Sequence, residues 1–292
     1  MIFRSYQPSL LLEPFIQVIH LRHFVFPSHA PLSVKPYPPR PEHCMAFYVR
    51  GFEMTHHPFD GYTVKKPTSV LTGQYTKQIN RISSPEFLMI QVVFKPGALY
   101  RLTHLPFHEL MDTALDAEAI FGSKVTRLNE RLNSTDDYAE MLSLVNAFFC
   151  QLVTGIKVEE QPIDVALASM LKSGQPLSVQ QLAADSCLSV RQFERQLLYR
   201  VGVGPKKFLK IVRFNNSYFL RLRRPAMTWQ AIASSCGYTD YQHLAKDYRE
   251  LFELGLDSIV VATPPATHFA IAKDCLLHNL HVLVEKPLTL NS

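Results

Sequence analysis

Residues 177–202, LSVQQLAADSCLSVRQFERQLLYRVG, and residues 227–252, MTWQAIASSCGYTDYQHLAKDYRELF, are two versions of one pattern. In the first, a short helix starts near Ser178, Cys187 to Ser189 make a tight turn, and a second helix begins at Val190. In the second, Thr228 caps the short helix, Gly237 makes the turn and Asp240 opens the next helix. Ala183 and Ala233 are small enough to let the second helix cross closely over the first. Phe193 with Leu197, and Leu244 with Tyr248, stand at i, i+4 spacing and face inward. The spacing therefore predicts two helix-turn-helix units in tandem.

Between them lies GPKKFLKIVRFNNSYFLRLRR, residues 204–224. Pro205 suits a first helical position, and Phe208, Val212 and Phe219 make an apolar face, so one helix is predicted from Pro205 to Leu222. At about 1.5 Å per residue it spans roughly 27 Å. That approaches the roughly 34 Å between successive major-groove faces on one side of B-DNA, so a single chain reaches two adjacent grooves.

Charge points the same way. Residues 175–252 hold twelve basic residues (Arg191, Arg195, Arg200, Lys206, Lys207, Lys210, Arg213, Arg221, Arg223, Arg224, Lys246, Arg249) against five acids (Asp185, Glu194, Asp240, Asp247, Glu250), a balance of +7. The whole chain carries +5, so the remainder sums to −2 and the basic character belongs to one segment.

The 292 residues, 47% of them apolar, are enough for about two domains with their own cores. No run approaches the roughly 20 apolar residues of a membrane span, and the N-terminal stretch is broken by Arg4, Pro8, Glu13 and Pro14, so neither a membrane segment nor a signal peptide is expected. Five scattered cysteines, none in a CxxC pair, argue against a disulfide framework or a zinc knuckle and for a reducing cytoplasm. His43 beside Cys44, and His56 beside His57, lack the further spacing of a metal site, and none is expected.

Ahead of the repeat, AFYVRGF, PTSVLTGQ and FLMIQVVF read as strands, residues 27–41 as an extended proline-rich arm, and residues 107–172 as a helical subdomain or bridge. Polar KVEEQPID, residues 157–164, is the candidate boundary. The expected class is α+β, with a β-rich N-terminal sensor and helical bridge over residues 1–156, an all-α double helix-turn-helix domain over 164–252, and a truncated Rossmann-like βαβ tail over 253–292.

LAADSCLSVRQFERQ, GVGPKKFLKIVRFNNS and IASSCGYTDYQHLAKDYRE together resemble the DNA-binding domain of the AraC family of bacterial transcription regulators. FKPGALYRLTHLPFHELMD, residues 94–112, resembles a bacterial sensor type found ahead of that domain. The resemblance implies double-stranded DNA as partner and a small-molecule effector, and it leaves room for a homodimer. It places base readers early on each second helix: Arg191, Gln192, Glu194 and Arg195, then Tyr241, Gln242, His243 and Lys246. Arg forks onto guanine, Gln onto adenine, and Glu accepts from cytosine. Lys206, Lys207, Arg213 and Arg249 are the candidate phosphate contacts. Trp229 fits either a core position or a phosphate brace.

From residue 253 the text changes. Residues 257–263, 265–278 and 280–285 read as strand, helix and strand, and they resemble an inner piece of the glucose-fructose oxidoreductase and inositol dehydrogenase family, with its TPP turn and later EKP. In that family the lysine of EKP, here Lys286, lies by the nicotinamide. No GxGxxG follows any strand, and VGVGPKK, residues 201–207, lacks the third glycine. No cofactor and no enzymatic activity are therefore expected, and the tail is read as a detached fragment.

Overall fold

The alternation of side chains along two central strands sets the N-terminal architecture. On β4 (His43–Arg50) the residues Met45, Phe47 and Val49 point to one core and Ala46 and Tyr48 to another; on β9 (Glu86–Phe94) Leu88, Ile90, Val92 and Phe94 oppose Phe87 and Met89. Both faces are covered, which is why FLMIQVVF is apolar without interruption. These strands lie at the middle of a six-stranded antiparallel sheet, ordered β1 (Ile2–Tyr6), β2 (Ile16–Val25), β9, β4, β7 (Ser69–Thr72), β10 (Ala114–Asp116). A four-stranded sheet, ordered β3 (Ser33–Tyr37), β8 (Ile79–Ser83), β5 (Glu53–His57), β6 (Tyr62–Lys65), completes the β-rich part.

The computed structural model describes residues 1–27, 32–154, 156, 161–172, 177–252, 258–261, 268–269, 272–273 and 281–284. It divides into two compact units, Met1–Phe252 and Glu253–Ser292. One expectation needs correction. The proline-rich arm contains strand β3, whose Lys35 and Tyr37 register with Arg81 and Ile79 of β8; Pro36 is tolerated because β3 is an edge strand. The helical stretch, expected as a subdomain or bridge, shares the core of the large sheet up to Val153. After α1 (Ala98–Thr103) and α2 (Ala117–Phe121), the helices α3 (Ser123–Asn133) and α4 (Tyr138–Val153) lay their apolar faces on the large sheet. Phe148 meets Phe47 edge-on at 6.4 Å and Phe149 meets Phe94 at 5.6 Å. Of the boundary candidate, residues 157–160 lie outside the described residues, and α5 (Pro162–Lys172) joins the core of the helical repeat through Ile163, Leu167 and Met170.

The repeat folds as α6 (Val179–Asp185), α7 (Val190–Val201), α8 (Pro205–Arg223), α9 (Trp229–Ser235) and α10 (Tyr241–Leu251). Both turns close with the same pair of backbone bonds. Leu188 N–H donates to Ala183 O at 2.9 Å and Cys187 N–H to Ala184 O at 2.9 Å; Tyr238 N–H donates to Ala233 O at 3.0 Å and Gly237 N–H to Ser234 O at 3.4 Å. This is the Schellman ending, which needs a left-handed residue. Gly237 (φ 75°) provides it in the second unit, whereas Cys187 (φ 55°) adopts it in the first with a side chain attached.

Gly202 ends α7 at φ +86°, and a Cβ there would stand 2.7 Å from Phe107 O. Gly202→Ala is expected to destabilise the chain by about 1–3 kcal/mol through left-handed strain, with the steric clash in addition. Gly61 (φ +74°), whose Cβ position meets nothing within 4 Å, carries the strain alone. Urea unfolding of both alanine variants separates the two contributions, and an equal loss at both would remove the steric one.

In the second unit β11 (Ser258–Val261) and β12 (His281–Val284) pair in parallel, Ser258 against His281 through Val261 against Val284, with helical residues at 268–269 and 272–273. The TPP turn at 263–265 and the EKP at 285–287, including Lys286, lie outside the described residues.

Candidate nucleic-acid interface

Helix α7 buries Phe193 and Leu197 completely, and this fixes which of its residues face solvent. Arg191, Gln192, Glu194 and Arg195 are all exposed. A capping box sets the start of the helix: Ser189 Oγ accepts from Gln192 N–H at 3.3 Å, and Gln192 Oε1 accepts from Ser189 N–H at 3.0 Å. The amide oxygen of Gln192 is thereby committed to the cap, leaving its NH2 for an outside partner. The S-x-x-Q spacing was readable in the sequence.

Helix α10 repeats the arrangement. Leu244 and Asp247 turn inward, and Tyr241, Gln242, His243 and Lys246 are exposed. Asp240 caps the helix by accepting from His243 N–H at 2.9 Å, and its Oδ1 also lies 2.9 Å from the ring Nδ1 of the same histidine. The bonds from His243 hold the Asp240 carboxyl below its ordinary value. They also orient the ring so that Nε2 is the nitrogen left for a ligand.

The four phosphate candidates are not equivalent. Lys206 and Arg249 are exposed. Lys207 Nζ is 3.9 Å from Glu250, and Arg213 is 3.8 Å from the buried Asp247 with its guanidinium 5.2 Å from the Tyr238 ring. Lys210, between them, donates to Glu250 at 2.7 Å. Lys207, Lys210 and Arg213 thus form a ladder at i, i+3 spacing on α8 that meets Asp247 and Glu250 on α10 and fixes the second unit to the connecting helix. Burial raises the Asp247 carboxyl despite Lys210 and Arg213 beside it. Trp229 packs edge-on against Tyr248 at 5.5 Å, beneath the Arg221 guanidinium at 5.0 Å, which is a core role.

The C-terminal half of α7 is gripped by the β-rich part. His43 Nε2 donates to Val201 O at 3.2 Å; burial pushes this histidine down to about 4, so the ring is neutral near pH 7. His108 meets Tyr199 edge-on at 5.0 Å. Arg200, buried, pairs with Asp164 of α5 at 3.1 Å, donates to Gln161 at 2.5 Å and lies 5.3 Å from the Tyr100 ring of α1. The second helix-turn-helix unit is held by Gln78 N–H donating to Leu251 O at 2.8 Å. Sequence reading missed this docking, because Arg200 looks like one more basic surface residue until its partners are placed.

Among the described residues no three His, Cys, Asp or Glu side chains gather as a metal site would require, and no helix is long and apolar enough to cross a membrane. The glycines nearest to a dinucleotide pattern have other work. Gly202 caps α7 against Phe107, and Gly204 precedes α8, so this segment does not fit a pyrophosphate.

A family model described as "Oxidoreductase family, NAD-binding Rossmann fold" matches residues 210–292. The matched span begins inside α8 and includes α9 and α10 before reaching the β11 and β12 strands. A search of curated proteins finds no match. Among solved structures, ToxT from Vibrio cholerae is similar at TM-score 0.44 and 12% identity, over 81% of this chain and 95% of that one. The DNA-binding domain of AdpA, a global transcriptional factor solved with a target DNA, is similar at TM-score 0.30 and 24% identity, over 33% of this chain and 85% of that one. The AraC-like transcriptional activator CuxR is similar at TM-score 0.31 and 12% identity, over 74% of this chain and 80% of that one.

Proposed function

We propose that this chain is a sequence-specific DNA-binding transcription regulator of the AraC type, acting in the cytoplasm and controlled by a small molecule bound in its β-rich N-terminal part. One observation carries the reading. Two helix pairs with the same Schellman turn, joined by the 19-residue α8, each hold an exposed polar face at the start of the second helix. At about 1.5 Å per residue α8 is roughly 28 Å long, near the spacing of adjacent major grooves. In this reading Arg191, Glu194 and Arg195 on α7, and Tyr241, Gln242, His243 and Lys246 on α10, read base edges, with Gln192 contributing only its NH2. Lys206 and Arg249 serve the phosphates; Lys207 and Arg213 contribute mainly to holding α8 against α10.

Selection of bound sequences from a random DNA pool tests this. The expected product is a site with two short conserved blocks about one helical turn apart, 10–10.5 bp centre to centre. Enrichment of no sequence, or of one block only, would sink the two-groove arrangement.

The family match over residues 210–292 favours a second reading, a nicotinamide-dependent sugar oxidoreductase. The chain lacks a GxGxxG turn, and a pair of parallel strands cannot by itself hold a dinucleotide. Titration with NAD separates the two readings, since micromolar binding would revive the oxidoreductase.

A further inference from the structure

A small cavity of about 30 Å³ lies between the two sheets of the N-terminal part, with Tyr37, Ile79 and Arg81 contributed by the four-stranded sheet and Cys44, Tyr48 and Gln91 by the six-stranded one. By that measure a water needs roughly 10–15 Å³, so there is room for two water-sized atoms. Its surroundings are unusually cationic. Arg40, Lys66 and Arg81 line it, and Arg22 stands next to them, largely buried. Two carboxylates face these four cations. Glu53 is used up by Lys66, Arg81 and the Tyr48 hydroxyl, and Glu42 accepts from Tyr37 at 2.5 Å and pairs with Arg40 at 3.9 Å. The four cations exceed these two carboxylates by two charges. The Nε–H groups of Arg22 and Arg40 are buried with no acceptor among the described residues. Burial, and then the neighbouring charges of Arg81 and Arg40, pull the Arg22 guanidinium below its ordinary value.

An excess of positive charge held away from water is unfavourable, and an anionic ligand offsets it. We infer that this cavity binds the carboxylate group of a small organic acid, held by the Arg40 and Arg81 guanidinium groups. Two water-sized positions suit the two oxygens of a carboxylate, and an arginine fork matches their geometry.

Arg40 also ties the cavity to the helix-turn-helix part. Its guanidinium is sandwiched between the Tyr37 ring at 4.5 Å and the Phe219 ring of α8 at 5.0 Å. A carboxylate that draws Arg40 inward weakens its contact with Phe219, and with it the hold of the sensor on the helix that spaces the two reading units. This rests on the regulator reading for its consequence, but not for the binding itself.

The test uses the full chain in calorimetric titrations with acetate and with butyrate, against sodium chloride at matched ionic strength. Saturable binding of the acids is expected, with little heat from chloride. Acetate binding equal to butyrate marks a free small acid as the source of the carboxylate; tighter butyrate marks the head of a longer acid entering from the opening. Arg40→Gln should weaken binding about tenfold or more, and Arg40→Lys, which keeps the charge and loses the fork, should fall between. Should Arg40→Gln lose its cooperative unfolding transition, Arg40→Lys alone decides the matter. Chloride binding as tightly as the acids, absence of saturable binding, or unchanged affinity in the Arg40 variants would each overturn the proposal. Phe219→Leu touches Arg40 only from the α8 side. It should leave acid binding within about threefold and abolish any effect of the acid on DNA affinity; loss of acid binding in this variant would refute the assignment to the cavity. A chain that binds acid but selects no DNA sequence rejects the regulator reading alone, and one that selects DNA but binds no acid rejects this inference alone.

Discussion

Glu53→Ala is expected to cost about 3–5 kcal/mol of folding stability, because it leaves Lys66 and Arg81 buried without a counter-charge. Glu53 is 1% exposed, accepts from Lys66 at 2.8 Å, from Arg81 Nε at 2.7 Å and from the Tyr48 hydroxyl at 2.9 Å, and has a second contact with the Arg81 guanidinium. Burial alone would raise the carboxyl, but Arg81 and Lys66 more than offset it and hold the group down to about 2, from an ordinary value of 4.5. A folded-state value depressed in this way contributes stability that is complete above the unfolded value. It is lost as pH falls from about 4.5 through about 2, by about 3 kcal/mol in all at 1.36 kcal/mol per unit. Urea unfolding from pH 6 to pH 2 should show that slope in the natural chain and its absence in Glu53→Gln. An unchanged acid slope in Glu53→Gln would mean that the ion cluster does not form.

Combining Arg195→Ala with Lys246→Ala should lower affinity for the selected DNA site by about 2–6 kcal/mol, since each lost base contact removes about 1–3 kcal/mol and the two lie on separate reading helices. That is a loss of about thirtyfold or more. Binding to random-sequence DNA should fall much less. Lys206→Ala and Arg249→Ala should instead weaken every sequence alike, and each should reduce the slope of log affinity against log salt by about 1. Gel-shift titrations at several salt concentrations distinguish the two classes. If the Arg195 and Lys246 double variant binds its site as the natural chain does, the base-reading assignment is wrong.

The tail sets a limit on what local sequence carries. HVLV forms a strand paired in parallel with SIVV, and residues 210–292 match an oxidoreductase family. The sequence of residues 1–292 carries no GxGxxG turn, so the local likeness of the tail and the glycine pattern of a dinucleotide site point in different directions.

The sequence by itself determined what depends on neighbours along the chain. Caps at Ser178, Thr228 and Asp240, the glycine turn at Gly237, the proline start at Pro205 and the i, i+4 pairs at Phe193 and Leu197 are local, so the helical repeat and its exposed polar faces were legible. Tertiary structure alone decided what depends on partners far apart in the chain. Glu53 meets Arg81, Arg200 meets Asp164, Arg40 stacks on Phe219, and the apparent arm at 33–37 finds β8. No spacing rule distinguishes a buried arginine from a solvated one, because the difference lies in the electrostatic cost of burial and in which distant group offsets it. That is why the exposed polar faces of α7 and α10 could be named from the sequence, while the cationic cavity and its connection to α8 could not.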